Sequence, residues 1–358
     1  MKSNKILILT STILILFLIE VFCSFFLFKK SEYNYKNRYL VYSEGNVFRN
    51  IDNFFTYEPN TSITASNYYF INDKFKRIYN YIIKTNNLGL VQDKDLIKES
   101  PSILFLGDSF TEGQGDGSWL NYFDGEFKNH QIINGGLLGT GFQQFELMND
   151  YLLDYDIQKV FVLYIGDDLR RDVFQFNDQQ LKCLRNHTFC QGSEIFFSFP
   201  TKNKNIDFFL KKLRDNQLNT IEPQKTNLKT FRRNIKSWLT NLYVIKIPLD
   251  FLRSNFYNSK NEKIIRNFNS INNLINKYQD NIYFINLKMK GEIIMRKKSY
   301  ESLYAKDYIL SKTNNYFECD FNNDLDLFYN YDSHPNKKGY KYLYNCVFNI
   351  LENQITLN

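Results

Sequence analysis

Apolar residues gather along this chain in three kinds of run. The first is near-continuous, from Ile6 to Phe28, flanked by Lys2 and Lys5 on one side and Lys29 and Lys30 on the other. At about 1.5 Å per residue such a segment just spans a bilayer. It lacks the shorter apolar region and Ala-x-Ala-like site of a cleaved leader, so an uncleaved transmembrane anchor is expected over residues 6–28. The second kind is short and ends abruptly in turn residues. Ile103 to Leu106 precedes Gly107-Asp108-Ser109, Gln131-Ile132-Ile133 precedes Asn134-Gly135-Gly136, Val160 to Ile165 precedes Gly166-Asp167-Asp168, and Ile282 to Leu287 forms a fourth run. Apolar residues at successive positions suit strands covered on both faces.

The third kind is periodic. Phe142, Phe145, Met148, Leu152 and Leu153 recur at helical spacing, as do Ile264, Ile265, Phe268, Ile271, Leu274, Ile275 and Tyr278, and finally Leu343, Val347, Ile350 and Leu351. Trp119 to Phe127 is a further helix candidate. Strands alternating with helices predict an α/β fold built on a doubly wound, flavodoxin-like parallel sheet. Residues 1–30 then form a tip and anchor, 31–100 a stalk and lead-in packing on the core, and 101–358 the main domain. Within that domain the pattern loosens at about 174–260, which reads as a helical insertion or lid.

Composition changes this picture little. The 358 residues are 43% hydrophobic and 17% aromatic, with a net charge of +7. The lysines are scattered instead of striped along one face, which argues against nucleic acid as a partner. With three histidines, His130, His187 and His334, a histidine-built metal site is not expected. The run Asp320, Asp324, Asp326 lacks the glycine and terminal glutamate of a calcium loop and reads as solvated. No cofactor is called for.

Chemistry concentrates at two places. At Gly107-Asp108-Ser109, either Asp108 or Ser109 caps the next helix, or Ser109 is a nucleophile at the carboxyl end of a strand. The stretch alone does not choose. Far downstream, Asp332-Ser333-His334-Pro335 places an imidazole two residues after a carboxylate, on a loop able to reach the same sheet edge. A serine hydroxyl needs a base to take its proton, and that base needs a carboxylate to fix its tautomer. Ser109, His334 and Asp332 supply these three roles.

These residues resemble the SGNH or GDSL-type hydrolases in four ordered blocks. Gly107-Asp108-Ser109-Phe110 looks like the nucleophile block, and Asn134 through Gly139 like the second. That second block implies an oxyanion-binding amide at Gly139, with Gly136 as fallback, beside the Ser109 amide. Gly166-Asp167-Asp168-Leu169 looks like the third block, and Asp332-Ser333-His334-Pro335 is similar to the last. The Asp-x-His spacing is similar to membrane-anchored relatives that add or remove O-acetyl groups on bacterial envelope polysaccharides. One departure is chemical: Asp167 stands where the family carries an asparagine that donates to the oxyanion, and an ionised carboxylate cannot donate. Either Asp167 stays protonated, or the Ser109 and Gly139 amides carry the oxyanion, or activity is reduced or lost.

The resemblance implies a membrane-anchored serine esterase that hydrolyses O-acetyl or similar esters of a carbohydrate through an acyl-enzyme on Ser109. An O-acetyltransferase using the same triad and a non-catalytic glycan-binding protein are the alternatives. Four cysteines lie outside the apolar segment, and the local pairing is Cys183 with Cys190 and Cys319 with Cys346. The basic residues after the segment would keep the main domain cytoplasmic. Disulfides would place it in an oxidising, extracytoplasmic space such as a periplasm, and the cysteines are given the greater weight.

Overall fold

The computed structural model describes residues 11–12, 14–20, 38–127, 129–188, 196–200, 205–220 and 261–355. The chain divides into two units, Met1–Glu32 with Arg214–Asn261, and Tyr33–Leu213 with Glu262–Asn358. In the first unit, the described residues 11–12 and 14–20 are helical, and Leu14 to Ile19 are all exposed. Most of the expected anchor lies outside the described residues. Among the described residues no helix is long and apolar enough to cross a membrane.

The second unit starts with five strands. β1 (Arg38–Tyr42) is followed by a hairpin of β2 (Phe48–Ile51) and β3 (Phe54–Tyr57), then by the long antiparallel pair β4 (Ser62–Ile71) and β5 (Lys74–Lys84). The segment read as stalk and lead-in is therefore, from Arg38, a folded β layer. Its period-2 signal in β4 is clear by burial, with Ile63, Ala65, Asn67 and Tyr69 all turned inward. A polar Asn67 on the inward face and Tyr68 and Phe70 on the outward face hide that alternation in the sequence.

The α/β part follows as β6 (Ser102–Gly107), α1 (Ser109–Glu112), β7 (Gln131–Gly136), α2 (Phe142–Tyr151) and β8 (Ile157–Tyr164). The described parts of the insertion are α3 (Asp178–Arg185), β9 (Phe196–Ser198) and α4 (Ile206–Thr220); residues 221–260 lie outside the description. β9 pairs in parallel with β1, so the N-terminal sheet runs β5-β4-β1-β9. The chain closes with α5 (Glu262–Tyr278), β10 (Ile282–Leu287), α6 (Lys290–Met295), α7 (Tyr300–Leu310), β11 (Tyr316–Cys319) and α8 (Lys337–Ile355). Trp119–Phe123 makes only a 3-10 turn where a helix was expected, ended by Gly125 at φ +89°.

β11-β10-β8-β6-β7 form one parallel sheet. Apart from the edge strand β11, where Glu318 is exposed, its strands are largely buried on both faces, and each face feeds its own core. Leu104, Leu106, Val160, Val162 and Phe284 point into a cluster shared with α2, α5 and the N-terminal strands. Ile103, Phe105, Phe161, Tyr283 and Ile285 point the other way, onto Trp119, Phe123 and the Tyr340, Leu343, Val347 and Leu351 stripe of α8. Helices on both faces make this the doubly wound arrangement anticipated from the alternating runs. The N-terminal layer adds to it a set of strands at the same core.

Candidate active site

Four loops matter, and each follows a strand of the parallel sheet at its carboxyl end, where open α/β sheets bind ligands. After β6 the chain turns sharply into α1. Asp108 takes an extended conformation and its Oδ1 accepts the Phe110 amide at 2.9 Å. Asp108 is thus the helix cap, which leaves the Ser109 hydroxyl free for other partners. Gly107 is required here, because a Cβ would collide with Thr111 Oγ1 and with the Leu163 carbonyl of β8.

The Ser109 hydroxyl finds His334. Ser109 Oγ lies 2.8 Å from His334 Nε2, and both residues are 5% exposed. On the far side of the ring, His334 Nδ1 is 2.5 Å from Asp332 Oδ1, the same oxygen that accepts the His334 backbone amide at 2.9 Å. A proton on Nδ1, held by the carboxylate, leaves Nε2 as an acceptor for the Ser109 O–H. Ser109, 225 positions from His334, therefore joins His334 and Asp332 in one hydrogen-bonded chain in the order a serine nucleophile requires.

The loop carrying Asp332 and His334 is fixed from several directions. Tyr329 donates its amide to the His334 carbonyl at 3.1 Å, and Phe328 bridges to Pro335. Lys290, the buried first residue of α6, donates from Nζ to the Tyr329 carbonyl at 2.6 Å. Tyr329 and Tyr340 donate their hydroxyls to the carbonyls of Gly115 and Gln114, both at 2.9 Å, which ties this loop to the segment after Ser109. The Cys319–Cys346 disulfide joins β11 to α8 around the same loop. Cys183 is disulfide-bonded as well, and its expected partner Cys190 lies outside the described residues.

Asp332 has partners that its own loop does not supply. Its second oxygen, Oδ2, accepts from Asn67 Nδ2 at 2.6 Å, Tyr69 Oη at 3.1 Å and Tyr79 Oη at 3.3 Å. The Arg38 guanidinium stands 3.9 Å from the same oxygen. Burial alone would raise the Asp332 carboxyl, but the charge His334 carries once its ring is protonated, the Arg38 guanidinium and the hydrogen bonds from His334 outweigh it. They hold Asp332 well below the usual carboxylate range. The carboxylate is therefore ionised and oriented, one oxygen to the histidine and one to the N-terminal sheet.

On the oxyanion side the assignments divide. The Gly136 amide is spent on Asn134 Oδ1 at 3.0 Å, which removes it as an oxyanion donor. Gly139 is exposed and left-handed (φ +71°). Neither its amide nor that of Ser109 donates to a protein acceptor among the described residues. Asp167 is paired with Arg170 at 2.7 Å, with its side chain 31% exposed. In this contact the Asp167 carboxyl accepts from the Arg170 guanidinium.

Its neighbour Asp168 is the buried acid of this block. Asp168 Oδ2 caps the turn through the Ile165 amide at 3.0 Å, and Oδ1 meets Arg171. Arg171 Nη1 also reaches Asp108 Oδ2 at 2.9 Å and the Thr140 carbonyl at 2.8 Å, so a single guanidinium joins three of the four loops. Burial, together with the nearby Asp108 charge, pushes the Asp168 carboxyl well up, against the pull of Arg171. Glu112, three residues after Ser109, is fully buried; it accepts from Tyr57 Oη at 2.9 Å and from the Leu138 amide at 2.7 Å, next to Gly139. Burial pushes its carboxyl up to about 8, the Asp108 charge adds to that, and the hydrogen bonds from Tyr57, the Leu138 amide and Tyr81 offset only part.

Sequence reasoning brought together Ser109, Asp332, His334 and Gly139 but missed Arg38, Asn67, Tyr69, Tyr79, Glu112 and Arg171. The available signal was Asn67, a polar residue at an inward position of β4. The acidic run resolves into turn caps: Asp320 accepts the Asn322 amide and Asp324 the Asp326 amide. His130 reaches Gln158 near the surface at 3.2 Å. His187 reaches Ser198 at 3.0 Å.

Fold and site together define a class: an α/β protein with a serine–histidine–aspartate chain at the carboxyl edge of a parallel sheet. Neither family models nor curated proteins match the chain. Several solved structures are similar to it, including two at low identity. One, a member of the lipolytic protein G-D-S-L family from Veillonella parvula DSM 2008, is 10% identical. That match covers 70% of this chain and 97% of the other, at a TM-score of 0.32. The other, a gut microbial diltiazem-metabolizing enzyme, is 12% identical over 73% of this chain and 48% of its own, at 0.35. At such scores the likeness carries no argument about function, and the chemistry rests on the geometry of Ser109, His334 and Asp332.

Proposed function

We propose that the protein is a serine esterase that forms an acyl-enzyme on Ser109. The observation that carries this reading is the 2.8 Å contact between Ser109 Oγ and His334 Nε2, with Asp332 on the opposite ring nitrogen. His334 takes the Ser109 proton as the oxygen attacks an ester carbonyl, and Asp332 stabilises the imidazolium that results. The amides of Ser109 and Gly139 receive the oxyanion. Collapse expels the alcohol, which takes the proton back from His334. Water activated by the same histidine then releases the acid and restores Ser109.

The substrate we assign is an O-acetyl or similar ester on a carbohydrate, reached by a membrane-anchored domain in an extracytoplasmic, oxidising space. Support for the anchor is the exposure of every described apolar side chain from Leu14 to Ile19, a surface that water disfavours and a bilayer does not. The Cys319–Cys346 disulfide supports the compartment. Transfer of the acyl group to a second sugar hydroxyl is the other reading, favoured by the low exposure of Ser109 and His334, since both are largely withdrawn from bulk water.

The test is acetate release from an acetyl-ester chromogenic substrate by the wild-type chain and by Ser109→Ala, with and without an added glycan acceptor. Release that depends on Ser109 supports the esterase. Acceptor acetylation at the expense of free acetate supports transfer, and no Ser109-dependent release under either condition rejects both.

A further inference from the structure

We propose that Asn67, with Arg38, Tyr69 and Tyr79, is a positioning element of the Ser109 site. It acts through Asp332 and makes the N-terminal sheet part of the catalytic apparatus. This inference rests on the esterase reading for its kinetic consequences but not for its geometry. A carboxylate can hold a histidine in one tautomer only if it stays ionised and does not turn. His334 occupies Oδ1 twice, through its amide and its Nδ1. Oδ2 is buried with it, and an ionised oxygen in a dry site without donors would favour protonation or rotation of the group.

The N-terminal sheet supplies those donors. Asn67 sits in the inward register of β4 and is fully buried, which is costly for an amide unless its hydrogen bonds are made. Arg38 Nε donates to Asn67 Oδ1 at 3.3 Å, which fixes the amide so that Nδ2 faces Asp332 Oδ2 at 2.6 Å. Tyr69 and Tyr79 come from the same inward face of the β4–β5 pair. Gln114 Nε2 donates to Tyr79 Oη at 2.9 Å, which leaves the Tyr79 proton to point at Asp332. Charged and titratable groups face the pair from each side: Arg38 from β1, Tyr69 and Tyr79 from β4 and β5, and Lys290 from α6 onto the Asp332 carbonyl at 3.3 Å.

The experiment compares wild type, Asn67→Ala, and the double variant Tyr69→Phe with Tyr79→Phe, in the full chain. Ser66→Ala, on the outward side of β4, is the control for general damage to the sheet. Two quantities are read: kcat and KM on an acetyl ester, and the downfield proton resonance of the His334 Nδ1–H. Asn67→Ala is expected to lower kcat about 10- to 100-fold with KM within about twofold, and to broaden or shift the proton resonance. The double Phe variant keeps ring volume and is expected to do the same more weakly, and Ser66→Ala to do neither.

If Asn67→Ala does not fold, the double Phe variant decides by the same criteria. Unchanged kcat and an unchanged resonance in a folded variant overturn the proposal. If wild type shows no ester turnover, the esterase reading fails, while the resonance still decides whether the sheet holds the Asp332–His334 pair.

Discussion

Glu112 offers a sharp test of how the interior behind Ser109 is held, because its carboxyl is buried and its partners are few. The folded-state value of about 8 lies above the ordinary carboxylate value of 4.5. Between those two pH values the folded chain keeps a proton that the unfolded chain has lost, so stability falls as pH rises through this window and levels off above it. Each pH unit is worth about 1.4 kcal/mol, and the cost of ionising Glu112 in place is on the order of 5 kcal/mol above pH 8. Glu112→Gln removes this cost. The glutamine can still accept the Leu138 amide through Oε1, and its Nε2 can donate to Tyr57 Oη, which is the pattern of the protonated acid. Urea unfolding of wild type and variant, with the disulfides kept oxidised, would be measured between pH 5 and pH 9. The stability of the variant relative to wild type should rise by about 4 kcal/mol across that range. A difference that stays constant within about 1 kcal/mol would refute the reasoning.

Three further outcomes follow from single contacts. Gly107→Ala drives a Cβ into Thr111 Oγ1 and the Leu163 carbonyl. It should cost about 3 kcal/mol in thermal or urea unfolding and abolish turnover by moving Ser109. Cys346→Ala opens a disulfide spanning 27 positions that encloses Asp332 and His334. A loss of about 3–4 kcal/mol on unfolding is expected, and a loss near zero would mean that the non-covalent contacts of the loop hold it without the disulfide. Asp167→Asn restores an amide at a position now paired with Arg170. If the Ser109 and Gly139 amides carry the oxyanion, kcat should change by less than about threefold, whereas a gain of about 100-fold would place residue 167 in the oxyanion site.

Four strands of the central sheet were legible because a strand covered on both faces writes an apolar run directly into the sequence; the edge strand β11, with Glu318 exposed, was not. His334 was legible because the chain has only three histidines, and Ser109 and Asp332 because they stand in a Gly-Asp-Ser turn after an apolar run and in an Asp-x-His pattern that resemble family blocks. The N-terminal β layer was not. Its inward face carries Asn67 because Asp332 needs a donor there, so the functional demand erased the periodicity that would have announced a strand. The contest between helix cap and nucleophile at Asp108-Ser109 dissolved for a related reason. Asp108 accepts the Phe110 amide, and the cap is what frees the serine. Asp167 was read against a family pattern, and its contact with Arg170 became visible only in the structure.

The central claim is that Ser109 is a nucleophile activated by His334. It is tested most directly by treating the chain with a fluorophosphonate, which phosphonylates activated serines, and mapping the adduct by mass spectrometry. The account predicts one adduct, on the peptide carrying Ser109, that disappears in Ser109→Ala and forms at least about 100-fold more slowly in His334→Ala. An adduct elsewhere, or labelling of Ser109 at the same rate without His334, would contradict it.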